Sequence, residues 1–318
     1  MTEKLKVGYF ADGPWSHAAL EALLQRGLCE IAFIVPRFDT QDPVLKQYAE
    51  HLSVPFIPQE NVNDAEFITR LQGYGADLFV SMSFNQILRK PIIDTAPLGF
   101  INCHAGALPF YRGRNPLNWV LINDESYFGV TAHYVDEGID TGDIIIQHKV
   151  DISEQDDYAS LLEKAFVKCS EVLVEAVELI SGGKVNRIKQ NDINPYGFYC
   201  GMRRVGDEVI DWQLPARRIH NLVRAITLPG PAARTVLKGK EVAIIKSRFL
   251  QDAPSYICTP GEVVGRDESG VYVKAGDSVL HILEVANVSQ EGALEQFETP
   301  GYRIGTRFGG VIEANGAA

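Results

Sequence analysis

Three polar residues near the middle of the 318-residue chain have the types and spacing needed for acid–base chemistry. Asn102 and His104 stand two residues apart at the end of a strand-like segment, so their side chains should point to the same side. Asp140 lies in a glycine-rich turn that follows another strand-like segment. An imidazole that can act as base or as donor, an amide that donates to a developing oxyanion and a carboxylate that orients the imidazole suit acyl transfer to an amine. Either His104 or Asp140, directly or through water, could remove the proton of the amine.

Each of these residues also has an ordinary structural interpretation. An Asn-x-His pair at a strand end is common, and aspartate and glycine populate turns for conformational reasons alone. Cys103 and His104 could instead bind a metal together with His133 or His148, but the paired spacing typical of metal sites is missing from the sequence. Spacing alone therefore leaves catalysis, metal binding and a structural role open.

The sequence lacks the signatures of several other enzyme classes. The turn after the first strand-like segment, residues 11–16, does not have the glycine pattern of dinucleotide-binding folds. The sequence also contains no phosphate-binding loop and no Gly-x-Ser-x-Gly elbow. These absences disfavour a nicotinamide oxidoreductase, a P-loop NTPase and a serine hydrolase.

The elements that must position the three polar residues alternate between strand-like and helix-like periodicity. This alternation predicts an α/β domain with a mostly parallel sheet, whose ligand crevice lies at the carboxyl ends of the strands. Residues 190–204 are predicted to form a linker, and the short strands and hairpin turns after them predict a small β-barrel or sandwich. The predicted strands of the first part are residues 6–11, 30–35, 77–81, 99–103, 129–135 and 143–150, and its predicted helices are residues 15–26, 43–52, 64–71, 116–122 and 158–180.

Composition indicates a globular protein and argues against a polyanionic partner. Hydrophobic residues make up 46% of the chain, no run is long enough to span a bilayer, and the N-terminus is polar. We therefore expect a cytoplasmic protein with no membrane partner. The five cysteines are widely spaced, which fits a reducing compartment. Residues 1–202 carry 27 acidic and 16 basic side chains and residues 203–318 carry 14 of each, so neither part offers a net positive field to nucleic acid.

Four segments, in this order, resemble the formyltransferase family that uses N10-formyltetrahydrofolate. They are Asn102-x-His104, Leu108-Pro109-x-Tyr111-Arg112-Gly113, Gly129-Val130-Thr131 and Asp136-x-Gly138-x-Asp140-x-Gly142. The family includes methionyl-tRNA formyltransferase, glycinamide ribonucleotide formyltransferase and the sugar N-formyltransferases. The resemblance implies a Rossmann-like catalytic domain over residues 1–203, with Asn102, His104 and Asp140 as the catalytic residues. It also implies N10-formyltetrahydrofolate as the co-substrate, and the proposed chemistry needs no metal.

The resemblance also implies where the folate binds. The pterin should lie between the segment after the third strand and the loop that leads to Asp140. In one departure, the family often has Ser-Leu-Leu-Pro after the histidine, where this chain has Gly106-Ala107-Leu108-Pro109, so contacts along this loop should differ. The residues expected to bind the co-substrate are Met82, Phe84, Gln86, Ile87, Leu88, Leu108, Val135, Asp136, Gly138 and Ile139.

The second half resembles the C-terminal, OB-like barrel domain of methionyl-tRNA formyltransferase and of the aminoarabinose formyltransferase. Residues 211–231 and 305–309 carry this similarity. It implies an OB-like domain over residues 204–310, followed by a tail at residues 311–318. Glycinamide ribonucleotide formyltransferases lack such a domain, which disfavours that acceptor.

Three features favour a nucleotide-linked amino sugar over methionyl-tRNA as the acceptor. The loop at residues 36–43 holds one arginine and two aspartates, where methionyl-tRNA formyltransferases have a basic loop. The C-terminal half is electrically neutral, unlike a typical RNA-binding domain. The segment from Tyr196 to Arg204 resembles the linker of the sugar enzymes, where arginines approach a nucleotide diphosphate.

These features predict a formyltransferase of surface-glycan synthesis that acts on a nucleotide-linked amino sugar. The alternatives are methionyl-tRNA formyltransferase and a non-catalytic folate- or nucleotide-binding module. Packing is the alternative role for Trp15, and a solvated charge pair is the alternative for Arg203 and Arg204. A homodimer is the expected assembly, because two-fold dimers are the commonest oligomers. The residues expected to bind the acceptor are Trp15, Arg112, Arg114, Tyr196, Arg203 and Arg204.

Overall fold

The computed structural model describes residues 4–310, so the tail expected at residues 311–318 lies outside the described residues. The chain divides into two compact units. The first comprises the residues up to Pro116, Tyr127–Asp151 and Glu163–Gly201. The second comprises Leu117–Ser126, Ile152–Leu162 and the residues from Met202 onward.

Up to Gly201 the chain alternates strands and helices, as the periodicity predicts. The strands are β1 (Leu5–Ala11), β2 (Cys29–Pro36), β3 (Leu78–Met82), β4 (Phe100–His104), β5 (Arg112–Gly113), β6 (Tyr127–Tyr134), β7 (Ile144–Asp151) and β8 (Tyr199–Cys200). The helices are α1 (Gly13–Arg26), α2 (Pro43–Leu52), α3 (Ala65–Gln72), α4 (Lys90–Ile93), α5 (Pro116–Ile122), α6 (Tyr158–Ser181) and α7 (Gln190–Ile193).

The first unit is built on a six-stranded sheet with the order β2-β1-β3-β4-β6-β7. Strands β2, β1, β3 and β4 run parallel, whereas β6 and β7 run antiparallel to their neighbours. The predicted mostly parallel α/β fold is thus confirmed. Strands β1 to β3 are apolar runs because a parallel sheet between helices buries both of its faces. Aromatic rings of β1, β2, β3 and β4 pack together in this core, with ring centroids 4.9–5.9 Å apart for Phe10, Phe33, Phe79 and Phe100.

The second unit contains α8 (Ala216–Ile226) and an antiparallel sheet with the order β11-β12-β13-β10-β9, to which β14 adds by pairing with β13. Residues 305–309 contact both edges of this sheet, through the bridges Leu237–Phe308 and Glu262–Arg307. This closure agrees with the predicted small, OB-like β-barrel. Its strands are β9 (Ala233–Leu237), β10 (Lys240–Phe249), β11 (Val263–Asp267), β12 (Gly270–Lys274), β13 (Val279–Val288) and β14 (Leu294–Glu298).

The segment predicted as a linker, residues 190–204, is largely part of the first unit. It contains α7, and its strand β8 pairs with β5 in a separate two-stranded sheet. The prediction of a linker was wrong here because elements of two to four residues leave no periodic signal in the sequence. Within residues 4–310, no helix is long and apolar enough to cross a bilayer.

Candidate active site

Strand β4 brings Asn102 and His104 to one face of the sheet. Both are partly accessible, whereas Ile101 and Cys103, which point to the other face, are buried. This is the alternation that their spacing predicts. Strand β6 runs antiparallel to β4 and places His133 opposite Asn102.

The His104 ring is held by contacts on both of its nitrogens. Its Nε2–H donates to the Tyr111 carbonyl oxygen at 2.7 Å, and its Nδ1 lies 3.7 Å from Asp140 Oδ2. A carbonyl only accepts hydrogen bonds, so the neutral ring carries its proton on Nε2 and leaves a lone pair on Nδ1. A proton taken up at Nδ1 would face a carboxylate that stabilises the resulting imidazolium.

Asp140 is a fixed, ionised carboxylate in this site. The Gly113 N–H donates to its Oδ2 at 2.8 Å, and His133 Nε2 lies 3.5 Å from its Oδ1. Burial alone would raise the pKa of Asp140, but His104, His133 and the Gly113 hydrogen bond together hold that pKa well below its usual range. The carboxylate therefore stays charged at all physiological pH values.

His133 orients the Asn102 amide. The Nδ1–H of His133 donates to the Tyr134 carbonyl at 2.8 Å, so Nε2 of the neutral ring accepts a hydrogen bond from Asn102 Nδ2 at 3.3 Å. The second N–H of the amide makes no hydrogen bond to any part of the chain that the structure describes. It is the donor that could meet a developing oxyanion.

Gly106 makes room for the contact between His104 and Tyr111. A Cβ atom at this position would lie 2.6 Å from His104 Nε2 and 2.7 Å from the Tyr111 carbonyl oxygen, distances that no real Cβ tolerates. The glycine that replaces the family's frequent serine thus permits the observed position of the imidazole.

The residues predicted to bind folate fall into two groups. Met82 and Leu108 are buried, and Phe84, Leu88 and Val135 are partly buried apolar residues at the same end of the sheet. The others lie on two loops: Ile87 and Ile139 are 66% and 53% exposed, Gln86 binds the Val62 N–H and the Gln59 carbonyl, and Asp136 accepts hydrogen bonds from Gly138 and Thr141.

The residues predicted to bind the acceptor have diverse surroundings. Trp15 packs edge-on against Phe166, with centroids 4.6 Å apart. Arg112 is 9% exposed, Arg114 is exposed, and Tyr196 is 86% exposed. Arg203 and Arg204 belong to the second unit, where Arg204 is exposed and Arg203 is partly buried.

Sequence reasoning missed several groups that shape the site. His133 was considered only as a metal ligand, and its contact with Asn102 depends on the register of two antiparallel strands. The Gly113 amide, the Tyr111 carbonyl and Gln190 gave no signal, since backbone groups have no sequence signature and Gln190 is 50 residues from Asp140. Within residues 4–310, no group of three or more His, Cys, Asp and Glu side chains could hold a metal ion.

The structure brings Asn102, His104 and Asp140 together at the end of a mostly parallel sheet, an arrangement that suits acyl transfer. Comparison with known proteins specifies the class further. Residues 5–177 match the formyl transferase family model, and residues 204–295 match the model of the formyl transferase C-terminal domain. The chain belongs to the formyltransferase family, whose formyl donor is N10-formyltetrahydrofolate, and it is an enzyme that transfers a formyl group.

The proteins with similar sequences and those with similar structures are named for different acceptors. The methionyl-tRNA formyltransferase of Geobacter metallireducens is 31% identical over 288 residues, covering 88% of this chain and 90% of the relative. That of Geotalea uraniireducens is 34% identical over 290 residues, with coverage of 88% and 90%.

Among solved structures, two sugar-related enzymes share the fold. The sugar 3N-formyl transferase WlaRD, solved with dTDP and 5-N-formyl-THF, superposes with a TM-score of 0.66 at 20% identity and covers 88% of this chain and 98% of its own. The N-formyltransferase from Helicobacter canadensis, solved with folinic acid and dTDP-3-aminofucose, gives 0.67 at 20% identity, with coverage of 87% and 99%.

Proposed function

We propose that this enzyme transfers the formyl group to the amino group of a nucleotide-linked amino sugar. The observation that carries the proposal is that the arginine of the loop after β2 is bound to other residues of the chain. Its arginine, Arg37, is used internally: Nη1 lies 3.6 Å from Asp12 Oδ2, and Nη2 donates to Ser83 Oγ at 3.3 Å. A transfer RNA needs free cations along its phosphates, which this loop does not supply among the described residues.

The acidic residue at the end of this loop strengthens the same argument. Asp42 caps α2 by accepting hydrogen bonds from the Val44 and Leu45 amides, and it also accepts one from the Gly13 N–H at 2.8 Å. Its other contact is His17 Nε2 at 2.8 Å. The first N–H of α1 therefore already binds an anion supplied by the chain itself, which disfavours a phosphate at this helix end.

Two exposed aromatic side chains in or near β8, the strand that pairs with β5, support a small cyclic acceptor. Tyr199 pairs with Arg112 across β5 and β8, and the next residue of β5, Gly113, donates to Asp140. Tyr199 is 55% exposed and Tyr196 is 86% exposed. Aromatic faces left open to solvent suit stacking against a nucleobase or a sugar ring.

Two of the residues expected to bind folate support the assignment of the formyl donor's position. Ile87 and Ile139 expose large apolar surfaces on the two loops where the pterin is expected, and an aromatic ring could cover them. When bound, N10-formyltetrahydrofolate supplies the electrophilic formyl carbon. We propose that the loops after β3 and before Asp140 hold it.

The proposed mechanism assigns one task to each polar residue. Nδ1 of His104 accepts the proton of the attacking amine, because Nε2 is committed to Tyr111. Asp140, 3.7 Å from Nδ1, stabilises the imidazolium that results. The Asn102 amide donates its second N–H to the formyl oxygen as negative charge develops there. The bond between the formyl carbon and N10 then breaks, N10 receives the proton from His104, and tetrahydrofolate leaves.

Methionyl-tRNA is the second candidate acceptor, and the 31–34% identity to methionyl-tRNA formyltransferases favours it. An acceptor panel separates the two. The purified enzyme and N10-formyltetrahydrofolate would meet UDP-, dTDP- and GDP-linked amino sugars and charged initiator methionyl-tRNA, with mass spectrometry detecting the added formyl group. We expect a formylated nucleotide sugar. Formylation of the tRNA alone, together with a steep salt dependence of its binding, would overturn the proposal.

A pair of variants tests the aromatic surface. Tyr196→Ser should raise the KM for the nucleotide sugar about tenfold, because stacking on one base contributes about 1–3 kcal/mol. Val167→Ser is the matched control, since Val167 is also an exposed apolar residue of the first unit, on α6. Equal KM values for the two variants would contradict a stacking role for Tyr196.

A further inference from the structure

We propose that Gln190 is a positioning residue for formyl transfer, tying the backbone of Asp140 to the Arg112 guanidinium. Gln190 is 3% exposed. Its Oε1 accepts hydrogen bonds from Arg112 Nε at 2.9 Å and Nη2 at 2.7 Å, and its Nε2 donates to the carbonyls of Asp140 and Gly142, both at 2.8 Å. The amide thus uses both of its donor hydrogens and both acceptor positions. This inference rests on the role proposed above for Asp140.

The backbone on either side of Gln190 is fixed to the same region. Two residues before it, Ile188 and Ile144 exchange backbone hydrogen bonds of 2.8 and 3.0 Å at the start of β7. Nine residues after it, Tyr199 pairs with Arg112 in the β5–β8 sheet. Because both anchors lie beside the loop of Asp140, Gln190 reaches that loop with little freedom.

The loop that carries Asp140 needs such a support. Asp140 has φ of 53°, a left-handed conformation that is unfavourable for a residue with a Cβ. At Gly142 a Cβ would lie 1.9 Å from the Tyr134 carbonyl oxygen, so the chain there is held against its neighbour. The preceding residues 136–139 are exposed. Loss of the Gln190 hydrogen bonds would let the carboxylate shift relative to His104 Nδ1.

Arg112 holds the side-chain oxygen of Gln190 in place. Its guanidinium is buried, packs 5.5 Å from the centre of the Tyr199 ring and makes charge-assisted hydrogen bonds to Gln190. The sequence predicts Arg112 as an acceptor-binding residue. Its contacts now also support a role in holding Gln190.

Replacement of the amide by a carboxyl group tests the proposal. In Gln190→Glu the ionised carboxylate keeps Arg112 but faces the carbonyls of Asp140 and Gly142 without a hydrogen to donate. We expect kcat to fall about 100-fold, the size of effect caused by misplacing a reacting group by about 1 Å, with little change in the KM for N10-formyltetrahydrofolate. The hydrogen bonds from Arg112 favour the ionised form of the introduced carboxyl, so the loss of kcat should be present at neutral pH.

The matched control is Gln25→Glu, which makes the same charge change on the exposed surface of α1. It should leave kcat within twofold of wild type at every pH. A Gln190→Glu enzyme that folds and loses less than threefold in kcat, or whose KM for N10-formyltetrahydrofolate rises as much as its kcat falls, would overturn the proposal. If this variant does not fold, Gln190→Met, which is neutral and of similar length, must show the same loss of kcat.

A second measurement is independent of the acceptor. The Gly113 amide hydrogen donates to Asp140 Oδ2, so its exchange with solvent reports the position of that carboxylate. We expect exchange at Gly113 to be at least tenfold faster in Gln190→Glu than in Gln25→Glu. If wild type formylates no amino sugar, the proposed acceptor fails, but equal exchange rates alone would still overturn the positioning role.

Discussion

Both units contain histidine close to carboxylates, and the electrostatic surroundings of the two clusters differ. In the first unit, Asp140 lies between His104 and His133, with oxygen–nitrogen distances of 3.7 and 3.5 Å. In the second unit, Arg217 binds Asp124 and Glu154, and these permanent charges surround His220. The difference lies in whether the carboxylates have a permanent positive partner.

The pKa directions reflect this difference. The pKa of Asp140 is low because histidines and a backbone amide compensate its burial, so a proton arriving at His104 Nδ1 meets a ready counter-charge. Burial, with Arg224 and Arg217 adding to it, lowers the pKa of His220 to about 4, so this ring stays neutral and hydrogen-bonds Ser247 Oγ at 2.9 Å. A buried histidine is suited to accept a proton where its protonated ring is the positive partner of a carboxylate. It is not suited to do so where arginines are already the positive partners of the carboxylates.

The largest effect expected from this comparison is on turnover. His104→Asn and Asp140→Asn should each lower kcat by about 1,000-fold or more, because the first removes the proton acceptor and the second removes the negative charge that stabilises the imidazolium. Thermal unfolding should change little in Asp140→Asn, which keeps the shape of the side chain. Steady-state kinetics with His220→Gln as the control should give a kcat within twofold of wild type. Retained turnover in both Asn variants would contradict the proposed mechanism.

The next largest effect is expected on stability, and it tests the role of the arginines of the second unit. Arg224 is 6% exposed, and its guanidinium donates to Asn221 Oδ1 and to the Ser153 carbonyl. Arg224→Met leaves these acceptors without a donor and should lower the free energy of unfolding by about 3 kcal/mol. Urea denaturation measures this loss, while kcat per folded molecule should stay the same. Arg218→Met, at an exposed position of the same helix, should cost less than about 0.5 kcal/mol, and an equal loss in both variants would refute the argument.

The sequence predicts the framework of the first unit better than the contacts within its site. The predicted strands for β1 to β4 agree with the structure to within one or two residues, because strands buried on both faces are continuous apolar runs. The spacing of Asn102 and His104 correctly places both on one face of β4. By contrast β14, most of which is exposed, has no apolar alternation and was not predicted.

The unpredicted parts of the site depend on tertiary pairing. His133 reaches Asn102 only because β4 and β6 pair in one particular register, which a sequence pattern does not specify. Gln190 reaches Asp140 through a four-residue helix and a backbone bridge that leave no periodic trace. The acceptor is even less accessible to such reasoning, since similar sequences and similar folds have different substrates in their names.

The smallest expected effect is on the pH dependence of stability, and it tests the role of His220 in the second unit. The pKa of His220 is about 4 in the folded protein, below the value of about 6.5 of an exposed histidine, so between these values only the unfolded chain takes up the proton. The stability from the neutral ring is complete above about pH 6.5 and is lost as the pH falls toward 4. Wild type should therefore lose about 2 kcal/mol more than His220→Gln between pH 7.5 and pH 5.0 in urea denaturation followed by fluorescence. Gln keeps a polar partner for Ser247 and does not titrate. Identical pH profiles for the two proteins would mean that the fold does not lower the pKa of His220, which would contradict the difference drawn between the two clusters.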